Sequence, residues 1–508
     1  MSNGYEKLAQ SLKKLQSLQN SAGLAVVKPA DLGRTHLERL VKNGFLLEII
    51  KGWYISCRPD TIAGDSTPWW TAFWFFVSEY ANKKFGKKWC LSAEQSLAFY
   101  SGNITAPQQT IIRAENASNN IVNLLHNTAI LYFKASVANP IVKENQFGLN
   151  LYSLPQALIE CSPEFFRLDS ISSRICLGLV DTQDMLKILL QKGQSKRAGR
   201  IAGALRNIAK NKEADEILES MKRAGFDIRE ENPFDDKNPI LMKIVSPYAA
   251  RLKLMWKSMR ETVINNFPNP SKKKLSIAQC IKNIDLQYKA DAYNSLSIEG
   301  YSVTDDLIEK VQSGKWNPKD NPADAQQSNA MAARGYWQTF QAVKTSIKEI
   351  LKGKNAGAAA KSAHRVWYQE LFAPSVMAGL LRPEDLAGYR SHQVYIKNSM
   401  HTPLNPQALK DAMPVLFDLL KKEESAAVRA ILGHFFFVYI HPYMDGNGRL
   451  ARFLMNVMLT TGGYSWTIIP VKKRKEYMTA LEKASVKNNI KDFTKFIADC
   501  YKKGGGNK

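Results

Sequence analysis

The chain is short of everything that crosslinks or anchors a protein. Its six cysteines, at 57, 90, 161, 176, 280 and 500, are scattered with no Cys-x-x-Cys spacing. Neither a zinc site nor a disulfide framework is indicated, which fits a reducing cytoplasm. The most apolar run, Trp69 to Val77, is about half of the roughly 20 residues a spanning helix needs. The opening MSNGYEKLAQSLKK lacks the apolar core of a signal peptide, so the expectation is a cytoplasmic protein with no membrane partner. No internal repeat of fixed period is present. Acid is scarce: 46 Asp and Glu face 70 Lys and Arg, for a net charge of +24. Such an excess suits nucleic acid, although it can equally serve solubility or an acidic protein target. With 508 residues at 45% hydrophobic, the chain can bury cores for three or so domains.

What is present concentrates in one stretch, His441-Pro442-Tyr443-Met444-Asp445-Gly446-Asn447-Gly448-Arg449-Leu450-Ala451-Arg452. The run Glu424 to Ile440 before it is apolar at helical spacing, and Pro442 disfavours an α conformation at His441. A helix should therefore end at His441 and leave its imidazole at the mouth of a turn. Gly446, Asn447 and Gly448 permit a tight backbone whose N–H groups converge on an anion. A second helix starting at Asn447 adds its positive dipole end. Arg449 and Arg452, three apart, share a helix face and can grip successive phosphates. Asp445 is the lone carboxylate of the loop, a hard oxygen ligand for Mg²⁺. His441 is placed to take a proton from an attacking hydroxyl. His434, mid-helix among phenylalanines, reads as packing.

These twelve residues resemble the signature of the Fic family, H-P-F-x-[D/E]-G-N-G-R-x-x-R, with Tyr443 where Phe is usual. The resemblance implies transfer of AMP from ATP, with Mg²⁺, onto a Ser, Thr or Tyr hydroxyl of a target protein or of the chain itself. It implies that His441 is the base and that Asp445, Gly446, Asn447, Gly448, Arg449 and Arg452 hold the nucleotide and metal. Upstream, Tyr389 to Pro403 resembles the family's target-clamping hairpin. Alternation across Gln393, Val394, Tyr395 and Ile396 suits a strand, Asn398-Ser399 suits its turn, and an exposed edge can bind an extended peptide. Downstream, Tyr477 matches a Y-x-x-A-L helix whose tyrosine lies near the adenine in the family, while Ser485 stands where many members carry Asn. The segment Asn294 to Gly300 fits the family's inhibitory pattern [S/T]-x-x-x-E-[G/N], with Ser295, Glu299 and Gly300 in the matching places. There the implied role of Glu299 is to pair with Arg452 and block productive placing of the γ-phosphate, with Gly300 as the helix C-cap.

The N-terminal residues carry a different pattern. Asp31 to Asn43 reads as a helix with Leu37, Leu40 and Val41 inside and Arg34, Thr35, His36, Arg39 and Lys42 outside. Phe45 to Ile55 reads as two short strands about the Lys51-Gly52 turn. Helix followed by wing is a winged helix-turn-helix, in which Arg34, Thr35 and Arg39 would face bases and Lys42 and Lys51 phosphates. The stretch resembles the N-terminal domain of AbiEi-type regulators. The basic helix Ser195 to Arg206 is either a second phosphate contact or a solvated face.

The expected architecture is mainly α with an α+β N-terminal half. It comprises a winged helix over 1–60, an α+β body over 61–235, a helical region over 240–355 carrying the inhibitory helix at about 284–300, and an all-helical core over 356–502 with a β-hairpin flap. Asn232 to Asn238 is the preferred boundary and Lys352 to Ala360 a small-residue linker. Two other functions stay open: transfer of another nucleotide or a phosphate, and a DNA-binding regulator or toxin–antitoxin module using the core as a nucleotide sensor. Gly448, where kinase-like relatives carry Lys, favours AMP. A homodimer is a further option.

Overall fold

The computed structural model describes residues 4–22, 25–59, 65–235, 246–271, 275–314 and 328–504. Part of the expected boundary at 232–238 lies outside them. The chain divides into two compact units: Met1–Arg251 together with Tyr395–Thr402, and Leu252–Val394 together with Pro403–Lys508. No helix among the described residues is long and apolar enough to cross a membrane.

The first unit opens with the helix Gly4–Ala22, strand β1 (Val26–Val27), a one-turn helix Pro29–Leu32 and the helix Arg34–Lys42. Strands β2 (Leu46–Ile50) and β3 (Trp53–Ser56) follow, joined by a turn at Gly52, whose φ of 80° suits glycine. The three strands form an antiparallel sheet in the order β1-β3-β2. The hairpin lies where the sequence places it, but the helix does not start at Asp31: Gly33, also at φ 80°, splits it in two. Leu37 and Leu40 are buried, whereas Val41 is exposed and not on the inner face.

The apolar run at Trp69 belongs to the helix Thr67–Phe85, buried against a sheet of β4 (Cys90–Leu91), β5 (Gln109–Ala114), β6 (Ile121–Asn123) and β7 (Ala129–Lys134). The order is β4-β5-β7-β6, with β5 and β7 parallel. The run is apolar because its surroundings are protein, not lipid: Trp69, Phe73, Phe76 and Val77 are fully buried. The basic helix Ser195–Asn207 is no free phosphate-binding face. Arg197 pairs with Glu160, Arg206 with Asp215 and Glu230, and Arg200 donates to the carbonyls of Ile159 and Cys161. Segment Tyr395–Thr402 packs with this unit: Asn398 accepts from the Ser66 N–H (2.9 Å) and its own N–H donates to Thr67 Oγ1 (3.0 Å). Met400 lies against the aromatic core.

The second unit is helical. The helices Ser328–Leu351 and Ala356–Met377 replace the expected linker with a sharp turn. The alanine-rich stretch joins the second helix because small residues let backbones approach: a Cβ on Gly357 would lie 2.3 Å from the Lys421 nitrogen. At the centre, Ala426–Ile440 is apolar almost all round and buried accordingly. The turn after it leads into Asn447–Thr461, also nearly wholly buried.

Candidate active site

The site is built on the turn between those two central helices. His441 closes the first helix in the left-handed region (φ 54°, ψ 61°), its N–H still reaching Phe437 O at 3.0 Å. Its Nδ1 lies 3.1 Å from Val438 O. A carbonyl only accepts, so Nδ1 carries the proton and Nε2 keeps the lone pair. Burial pushes the imidazole down to about 4, against the opposing effect of the Val438 hydrogen bond. At neutral pH it is an uncharged base.

The turn is locked from inside. Asn447 accepts from the Tyr443 N–H (3.0 Å) and donates to Tyr443 O (2.8 Å). Its amide thereby shapes the loop from within. Gly446 sits at φ 80°, and a Cβ there would come within 2.9 Å of Leu371 and Phe372. Tyr443 stacks on Tyr368 (3.8 Å between centroids, 11°) with its hydroxyl buried and without a partner. Asp445 accepts from the Gly446 N–H (2.6 Å) and pairs with Arg449 Nη2 at 3.0 Å. The two partners differ sharply in exposure: 67% for the Asp445 side chain and 2% for Arg449. Arg449 lies between the rings of Tyr301 and Phe372, and its Nε has no partner.

Arg452 is buried against the end of the helix Ile277–Ile298. Its Nε donates to Ser295 Oγ (2.8 Å), and its Nη2 donates to Ser295 O (3.0 Å) and Glu299 Oε1 (2.7 Å). Nη1 is left without a partner. Burial alone would raise the Glu299 carboxyl, but the charges of Arg452, Arg449 and Arg474 hold it below the usual carboxylate range. Gly300, at φ 94°, ends the segment. Two long-range contacts fasten this helix end: Arg474 Nε donates to Ile298 O (2.7 Å), and Asn294 accepts from the Val471 N–H (2.8 Å). Gly448 leaves the space Glu299 fills, since a Cβ there would lie 2.4 Å from Glu299 Oε1.

Other expected residues fall differently. Tyr477 is buried, with its hydroxyl 2.8 Å from His434 Nε2. His434 thus has a partner in addition to its packing. The stretch Gln393 to Ile396 forms no strand: the Asn398 turn is there (φ 58°), but no ladder joins its two limbs. Arg390, to which the sequence assigns no role of its own within that segment, instead ties the limbs together through backbone carbonyls. In the first unit Arg34, Thr35, Lys42 and Lys51 are exposed, and Arg34 pairs with Glu38. Arg39 turns inward, donating to Lys7 O (3.0 Å) and Ser11 Oγ (2.8 Å), while His36 meets Ser11 at 3.0 Å. Neither is a free outer-face residue.

Residues 358–459 match the Fic/DOC family model. Over 129 residues the chain is 38% identical to the protein adenylyltransferase Fic of Drosophila willistoni, a span of 25% of each chain. The Drosophila virilis protein of that name is 37% identical over 129 residues, 25% of this chain and 26% of its own. The match thus spans about a quarter of the length of these curated relatives. Among solved structures, a Fic-1 fragment from C. elegans is 17% identical, covering 66% of this chain and 96% of that one at a TM-score of 0.36. A Fic-domain signalling protein from Bacteroides thetaiotaomicron is 17% identical, covering 50% and 93% at a TM-score of 0.34. The chain carries a Fic domain over residues 358–459.

Proposed function

We propose that the chain is a protein adenylyltransferase held in check by Glu299. The observation that carries this reading is a pair of buried arginine N–H groups without partners, Arg449 Nε and Arg452 Nη1, on the helix that follows a neutral histidine. A buried, unsatisfied cationic donor is costly unless a ligand completes it, and a polyphosphate is the ligand that two guanidiniums fit.

In the proposed reaction Arg449 and Arg452 orient the triphosphate, aided by the dipole of the helix they begin. His441 Nε2 takes the proton of a target Ser, Thr or Tyr hydroxyl. The hydroxyl oxygen bonds to the α-phosphorus as the α–β bridging bond breaks, and pyrophosphate leaves. The positive groups of the cradle stabilise the charge that develops. Asp445 suits Mg²⁺: it is an exposed carboxylate, and with phosphate and water oxygens it would complete an all-oxygen shell. Bound there, Mg²⁺ would neutralise phosphate charge. Among the described residues no three acidic, His or Cys groups gather into a site of their own, so the nucleotide would have to share the ion.

Glu299 holds Arg452 by one charge-assisted bond, while Ser295 holds it by two. Withdrawal of Glu299 would therefore release Nη2 toward a γ-phosphate without letting the guanidinium drift. The N-terminal helices and hairpin would bind duplex DNA through Arg34, Thr35, Lys42 and Lys51, which are exposed. Intact-mass analysis after incubation with Mg-ATP tests the transfer. A gain of one AMP, absent in His441→Ala, is expected, whereas an equal gain in that variant would remove His441 as the base.

A further inference from the structure

Arg390 is 5% exposed, yet the partners of its guanidinium are carbonyls and no carboxylate. Its Nε donates to His441 O (2.7 Å), Nη1 to His392 O (2.9 Å), and Nη2 to Leu404 O and, more weakly, to Ile440 O (3.5 Å). Its own N–H donates to Pro442 O (2.9 Å). Burying a cation without a counter-ion is unfavourable, so the position needs a reason. Part of it is local. Ile440 and His441 carry carbonyls that a helix end leaves unsatisfied, and a cation suits the negative end of the helix dipole. The remainder is connective. His392 lies on one limb of the segment 389–403 that the Fic resemblance assigns to target binding, and Leu404 directly follows the other limb. The planar fork spreads donors on three nitrogens over carbonyls from three backbone segments, a reach that the single nitrogen of a lysine does not match.

We propose that Arg390 is a positioning residue for the transfer: it binds the left-handed backbone of His441 and both limbs of the target-binding segment to one side chain, fixing the base in register with the acceptor hydroxyl. This rests on reading His441 as the base and residues 389–403 as the clamp. Misplacing a reacting group by about 1 Å can cost roughly 10²-fold in rate, and the left-handed His441 is the kind of backbone that relaxes when its support is removed.

The test uses the full chain, wild type, Arg390→Met and Arg390→Lys, with Mg-ATP affinity, self-modification by intact mass, and the His441 ring titration by NMR on metal-free protein. The charges facing that ring are Arg390, Glu299 and Asp445. Arg390→Met should bind Mg-ATP within about twofold of wild type, transfer AMP roughly 10²-fold more slowly, and titrate His441 at higher pH because a facing positive charge is gone. Arg390→Lys keeps the charge and loses the fork, so its titration should stay low while transfer stays at least tenfold slow. If Arg390→Met does not fold, Arg390→Lys decides: transfer at the wild-type rate overturns the proposal. So does an unchanged His441 titration in folded Arg390→Met, or a rate loss fully matched by lost Mg-ATP affinity. Absence of transfer in wild type would fault the adenylyltransferase reading, while the NMR comparison would still judge Arg390.

Discussion

Two basic sites in this chain look alike in sequence and behave in opposite ways. On the helix that follows the His441 turn, both arginines are buried, and each has an N–H with no protein partner. On the N-terminal helix Arg34–Lys42, Arg34, Thr35 and Lys42 lie in solvent, and Arg39 is spent on the neighbouring helix. One buried donor without a partner argues for little, but two arginine donors on one helix beside His441 argue for an anionic ligand. An exposed lysine argues for nothing, because water already satisfies it. The first site supports a chemistry; the second supports only a test.

The largest effect that sharpens the contrast is at the base. His441→Ala should slow transfer about 10²–10⁴-fold with ATP affinity largely kept, since the cradle is untouched. ATP affinity that collapses along with the rate would mean that the residue shapes the loop instead. Next comes the latch: Glu299→Gly should raise transfer roughly tenfold or more, equivalent to about 1.4 kcal/mol in the barrier. Unchanged activity in a folded variant would reduce Glu299 to an ordinary helix end.

The pH profile separates the two groups. The Glu299 carboxyl is held below its usual range, so its contribution is present above the unfolded value and is lost as pH falls through the lower folded value. Mild acid should therefore not open the latch. His441, pushed down to about 4, should stay an active base well below the ordinary histidine range. Rates should be flat on the acid side to about pH 5, and an acid limb centred near 6.5 would contradict the neutral imidazole.

At the N-terminal helix the effects are smaller. Lys42→Ala should weaken duplex DNA binding and lower the salt slope by about 1. Arg39→Ala should instead cost about 1 kcal/mol of stability with little change in DNA affinity. If Arg39 carries the affinity, the inward contacts are misassigned. The smallest effect is at Tyr443: its buried hydroxyl has no partner, so Tyr443→Phe should be neutral or stabilising by about 1 kcal/mol in thermal unfolding.

Legibility followed locality. The turn at His441, the helix end at Gly300 and the hairpin about Lys51-Gly52 could be read because Pro442, Gly300 and Gly52 impose their backbone within a few residues. Arg390 could not, because its partners lie on both sides of a loop and far along the chain. The partners of Asn447, Tyr477 and Arg39 are hidden from the sequence for the same reason. Their side chains are claimed by Tyr443, His434 and Ser11, partners that no spacing rule names.

In the proposed reaction Arg449 and Arg452 receive a triphosphate whose α-phosphorus is attacked once Glu299 withdraws. It is tested most directly by giving wild type and Glu299→Gly ATP labelled at either the α or the γ phosphorus and measuring label retained on protein. The account predicts α-label on protein, more in Glu299→Gly than in wild type, and no γ-label. Retention of γ-label, or equal α-label in both chains, would contradict it.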